Sequence, residues 1–337
     1  LTIGNLQLLR GIAALGVVFY HTDFRLAGDY HTDFLGVSTF FVISGFIMCY
    51  ITHTDAAHFL ERRIIRIVPL YWLLTACVTL LHYGLADNGW WLFSSLFFLP
   101  SDRMPVLGVG WTLNFEMYFY AVFAVALWLN RRFAPLITAA VILAVFAADR
   151  IWPGTFPLRI YAHIYVFNFV VGIVVYYLWS DAMDFVPRKI GIVAGAAVIA
   201  LCYQTQFDNP FWNNLLRSWP SWPYFLAPLV VTGALLLHRL GVDIQWRPLI
   251  VFGDASYSLY LTHEITMHFW PAAALAPLGH PNTDILPMLL TLAACLAVGI
   301  AVHFMVERPL GRLVRNVWTD WKPSGRRTAL EQSGVNG

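Results

Sequence analysis

The chain has 337 residues, of which 59% are hydrophobic and only 12% charged, about half the charged share of a soluble globular domain. So few polar side chains cannot cover a water-facing surface, and disorder needs the opposite composition. A net charge of +2, with the basic residues scattered, leaves no footprint for nucleic acid. A polytopic membrane protein remains.

A bilayer-spanning helix takes about 20 mostly apolar residues. Ten stretches qualify in chain order: 3–21, 36–52, 67–83, 106–129, 134–148, 163–179, 190–202, 222–237, 249–270 and 286–306. The predicted fold class is therefore all-α, an integral membrane helical bundle of ten transmembrane helices. The fifth and seventh are short. Segment 90–100 (WWLFSSLFFLP) is too short to span, and its tandem Trp suits the membrane interface. Cys49, Cys77, Cys202 and Cys295 lie in apolar runs without a CxxC spacing, so they read as small buried residues. No small-residue cleavage site follows the first span, and no cleavable signal peptide is expected. The repeated YHTDF (His21, Asp23, His31, Asp33) is weak support for a metal, and no metal is expected.

Loop charges orient the bundle. With the N-terminus inside, fifteen of the 21 Lys and Arg residues fall on inner segments and five on outer ones. The positive-inside rule then predicts both termini in the cytoplasm. The expected division is a transmembrane domain over residues 1–310 and a basic cytoplasmic tail over 311–337.

Ionisable groups inside a bilayer are costly and mark function by default. Arg10 and His21 are eleven residues apart, within about 20° of a whole number of helical turns, so they share one face about 16 Å apart. The plainer alternatives are a snorkelling arginine and an interfacial histidine. Glu116, just over a turn into the fourth span, needs a partner. His21 is expected at similar depth, where a carboxylate would orient its imidazole; bonding to neighbouring hydroxyls is the alternative. Ser256, Tyr260 and His263 form one stripe, which suits a cavity lining or an interhelical hydrogen-bonding seam. Arg62, Arg63 and Arg66 stand at the inner mouth of the third span. Their spacing alone suits a positive-inside anchor better than a phosphate clamp.

These segments resemble the acyltransferase-3 family of membrane proteins, nearest to bacterial exopolysaccharide and O-antigen acetyltransferases. The likeness rests on LLRGIAALGVVFYH, GVSTFFVISGFIM, FLERRIIRIVPLYW and GWTLNFEMYFY, with fainter matches in SYSLYLTHE and VERPL. The resemblance implies ten helices in a bacterial inner membrane and an O-acyltransferase. The donor would be a cytoplasmic acyl-CoA, acetyl-CoA first among them, and the acceptor a lipid-linked or polymeric extracytoplasmic glycan. It implies catalytic roles for Arg10, His21 and Glu116 and donor binding by Arg62, Arg63 and Arg66, which raises the phosphate reading of that cluster. His263, with Ser256 and Tyr260, would shape the acceptor site. Where relatives often carry two adjacent acids, Met117 follows Glu116. The rival class is a transporter or flippase for a lipid-linked glycan, although no repeat at the scale of spans supports it.

Overall fold

The computed structural model describes residues 3–22, 36–83, 89–181, 222–269 and 284–321, and all regular structure among them is helical. The elements are α1 (Gly4–His21), α2 (Gly36–Thr54), α3 (Phe59–Val78), α4 (Gly89–Leu96), α5 (Trp111–Leu129), α6 (Ala134–Ile151), α7 (Leu158–Tyr161) and α8 (Ile164–Asp181), followed by α9 (Trp222–Arg239), α10 (Arg247–Asp254), α11 (Ser256–Phe269), α12 (Ile285–Val302) and α13 (Arg308–Trp321). Among the described residues, five helical stretches are long and apolar enough to cross a membrane: Gly36–Thr54, Phe59–Leu81, Gly108–Leu129, Ala134–Ile151 and Ile285–Thr319. Helices coincide with nine of the ten expected spans; the other, 190–202, lies outside the described residues.

Three details depart from the sequence reading. The expected span 249–270 is broken at Ala255 into α10 and α11. The third helix starts earlier than the expected span 67–83: α3 begins at Phe59, so Arg62, Arg63 and Arg66 lie in its first two turns. The chain beyond residue 310 starts as helix: a wide turn over His303–Glu307 joins α12 to α13, which runs on to Trp321 and packs against α3.

Large apolar side chains face outward, as a lipid-facing surface requires. Trp128, Leu80, Val174 and Leu286 all point outward. Inside, Phe119 and Phe169 stack with ring centroids 4.2 Å apart, and Phe41 lies 4.6 Å from Phe169, joining α2, α5 and α8. The α2–α8 approach is close because Gly45 and Gly172 face each other. A Cβ on Gly172 would come within 2.9 Å of the Gly45 Cα, as in small-residue packing of membrane helices.

The first helix sits at the centre. It packs against α2, α9, α10, α11 and α12. Asp243 holds its start: the carboxylate accepts from the backbone N–H of Asn5 at 3.0 Å and of Gly4 at 3.3 Å. Those donors have no partner within the helix, and a negative charge there also suits the helix dipole. The buried Asn5 side chain donates to the carbonyls of Val242 and Ala234 and accepts from Ile244 N–H. Both ends of one polar stripe, Arg10 and His21, are thus carried on a tethered, enclosed helix.

Candidate active site

Arg10 opens into a small interior cavity of about 90 Å³, with Glu116, Ser44, Tyr120, Arg63 and Arg66 also on its wall. The half-buried Arg10 guanidinium donates from Nη1 to Gln7 Oε1 at 3.2 Å. Glu116 Oε1 accepts from Ser44 at 3.3 Å and, over a short contact, from Tyr120. Tyr120 follows Glu116 by one helical turn, so local spacing produces that bond. Thr112, one turn before Glu116, pairs instead with Tyr260 at 2.8 Å.

His21 lies at the other end of the stripe and has a different partner from the one the sequence suggested. Its Nδ1 stands 3.8 Å from Glu264 Oε1, and its ring meets that of His263 edge to face at 4.8 Å. Glu116 spends its hydrogen bonds on Ser44 and Tyr120 within the interior cavity, so the carboxylate beside His21 is Glu264. The sequence signal for Glu264 was available: it is an ionisable side chain inside an expected span, next to His263. Adjacent helical residues point about 100° apart, which hid the fact that both can reach one imidazole.

His263 is fully buried. Its Nδ1 lies 2.7 Å from the carbonyl oxygen of Tyr260. A carbonyl only accepts, so Nδ1 carries the proton and Nε2 presents a lone pair. That Nε2 is buried and has no hydrogen-bond partner among the described residues. Ser256 and Tyr260, from the same stripe, line the Arg10 cavity rather than the His21 end. Tyr260 therefore stands between the two: its ring touches His263 at 5.8 Å, and its hydroxyl donates to Val109 O at 3.1 Å or to Thr112. His21, His263 and Glu264 are the one group among the described residues with donors suited to a metal, their ligand atoms lying within 4.8 Å of one another. That spacing is wider than a closed shell at about 2.0–2.1 Å per ligand allows.

The third part of the site is a cleft of about 840 Å³ between the first turns of α3 and the length of α13 from Arg308 to Thr319. Arg62, Arg63 and Arg66 line one wall, as expected together. Arg62 is committed elsewhere: it pairs with the Asp55 carboxylate and donates to the Asp55 carbonyl at 2.9 Å. In the loop between α2 and α3, that hydrogen bond from Arg62 holds the Asp55 carboxyl below the usual carboxylate range. Arg63 and Arg66 differ, because they line both this cleft and the Arg10 cavity. Tyr257, donating to Ile67 O at 2.7 Å, fixes α3 against α11 beside Arg66.

The described residues thus form a helical membrane bundle in which a half-buried arginine lies on a cavity joined to a basic cleft, with a histidine pair beyond Tyr260. The chain belongs to the acyltransferase-3 family: the model of that family, described as an acyltransferase domain, matches residues 3–305. The exopolysaccharide production protein ExoZ of Rhizobium meliloti (strain 1021) is 32% identical over 88% of this chain and 95% of its own length. The peptidoglycan O-acetyltransferase OatA of Listeria monocytogenes is 23% identical over 76% of this chain, which spans 48% of that relative. The O-acetyltransferase OatA of Staphylococcus aureus (strain NCTC 8325 / PS 47) is 24% identical over 76% of the chain and 49% of its own length. No solved structure matches.

Proposed function

We propose that this protein is a bacterial inner-membrane O-acetyltransferase. It takes an acetyl group from acetyl-CoA on the cytoplasmic side, where both termini lie, and passes it to a hydroxyl of an exopolysaccharide or other cell-envelope glycan on the outer side. One observation carries this reading: the basic cleft shares Arg63 and Arg66 with the Arg10 cavity, and Tyr260 links that cavity to the His21–His263 pair. A donor whose phosphates lie in the cleft can send its thin pantetheine arm past Arg63 and Arg66. The thioester then meets the acceptor near His21.

In this mechanism His21 removes the proton from the sugar hydroxyl as its oxygen attacks the thioester carbonyl. The carbon–sulfur bond breaks, and the CoA thiolate leaves and takes that proton from the His21 imidazolium, which restores the neutral ring. Glu264 faces the imidazolium that forms. His263, its Nδ1 proton held by the Tyr260 carbonyl, offers only an acceptor to the His21 ring and limits how that ring turns. Arg10, with Glu116 as counter-charge in the same cavity, steadies the arm or the polarised thioester. The ExoZ and OatA relatives support the glycan as acceptor class. The test is acetyl transfer from radiolabelled acetyl-CoA to an oligosaccharide by purified protein in nanodiscs. Label on the glycan is expected; hydrolysis of acetyl-CoA without a labelled glycan would reject the acceptor.

A further inference from the structure

We infer that α13 supplies the second wall of a phosphate-binding cleft, with Arg308, Arg312 and Arg315 gripping the adenosine-phosphate end of the donor. The inference rests on the acetyl-CoA reading above and adds three residues to it. At spacings of four and three, these arginines form one ridge of α13. All three line the cleft whose opposite wall carries Arg62, Arg63 and Arg66. Its volume of about 840 Å³ falls within the roughly 300–1,000 Å³ of small-molecule sites.

The charges in the cleft are unbalanced. Of its two acids, Glu61 pairs with His58 at 2.9 Å, and Glu307 accepts from Ser258 at 2.5 Å and pairs with His303 at 2.7 Å. Asp254 lies 4.0 Å from Arg308, and Asp55 takes Arg62. Arg66 and Arg315 have no ion pair or hydrogen bond among the described residues, and the Arg63 Nε is buried without a partner. Two arginine ridges facing each other across a cleft repel, and a polyanion between them relieves that repulsion. Guanidinium groups clamp phosphate oxygens in pairs.

Anionic lipid headgroups share this chemistry, but the geometry favours the nucleotide. The outward face of α13 shows Leu313, Val317 and Trp318, which suits an interfacial helix laid on lipid. Its arginines turn the other way, into a cleft that connects through Arg63 and Arg66 to the interior cavity.

The test is acetyl-CoA affinity by titration calorimetry in nanodiscs of neutral lipid and of lipid with an anionic fraction. Wild type is compared with Arg308→Gln/Arg312→Gln/Arg315→Gln and with the triple Lys variant. These side chains are exposed, and a thermal midpoint checks the fold. The Gln variant should bind acetyl-CoA at least about tenfold more weakly in both lipids. The Lys variant should recover part of the loss, since it keeps the charge. The donor KM should rise while kcat at saturation holds. Equal affinity of wild type and the Gln variant overturns the cleft alone. A loss seen only in anionic lipid assigns the arginines to headgroups and also overturns it. Wild type that binds no acetyl-CoA overturns both the cleft and the function it rests on.

Discussion

His21 and His263 meet edge to face with ring centroids 4.8 Å apart, one from the first helix and one from the helix that packs along it. The Tyr260 carbonyl fixes the tautomer of His263 at 2.7 Å, so the pair is polarised in one direction. His263→Asn retains an N–H near the Nδ1 position and loses Nε2. It should fold, with a thermal midpoint near wild type, and transfer acetyl at least about tenfold more slowly. Full activity in His263→Asn would remove His263 from the site.

The two candidate acids should separate kinetically. Glu264 stands 3.8 Å from His21, whereas Glu116 is bonded to Ser44 and Tyr120 beside Arg10. Glu264→Gln should lower kcat about tenfold or more and leave acetyl-CoA affinity unchanged. Glu116→Gln should instead act on the donor side and raise its KM. Identical kinetic signatures in the two variants would show that the cavity and the histidine pair are not distinct stations.

Arg62 and Arg66 are one helical turn apart and should not be equivalent. Arg62 is held by Asp55, while Arg66 opens into both the cleft and the cavity. Arg66→Ala should weaken acetyl-CoA binding several-fold more than Arg62→Ala, measured by titration in nanodiscs. The Asp55–Arg62 pair carries its own pH dependence. Because Arg62 lowers the folded carboxyl below its unfolded value, the pair stabilises above about pH 4 and fades as pH falls through the depressed value. Both side chains are largely exposed, so wild type and Asp55→Asn should differ little in thermal midpoint at neutral pH. What difference exists should vanish in acid.

Asp243 caps the helix that carries Arg10 and His21. Asp243→Ala should cost about 1 kcal/mol, in the range of lost helix caps, and lower the thermal midpoint in detergent. An unchanged midpoint would mean that the Asn5 network alone anchors α1.

Periodicity made the helices legible, and the cost of buried charge picked out Arg10 and Glu116. The eleven-residue spacing placed Arg10 and His21 on one stripe, and α1 is enclosed by five helices as that stripe requires. The partner of His21 was not legible. Depth along a helix is readable from sequence, but rotation about its axis relative to other helices is not, and Glu116 turns toward Ser44 while Glu264 turns toward His21. The α13 arginines were hidden for a related reason. A basic stretch after Pro309 reads as a solvated tail, and only the continuous path from α12 through His303–Glu307 lays it against α3.

The central claim is that His21 activates a glycan hydroxyl toward acetyl-CoA. Its most direct test is the acetyl ester content of an oligosaccharide incubated with acetyl-CoA and reconstituted protein, read by mass spectrometry for wild type and His21→Ala at equal protein amount. The account predicts ester with wild type and a loss of at least about 100-fold with His21→Ala. Equal ester from the two proteins would contradict it.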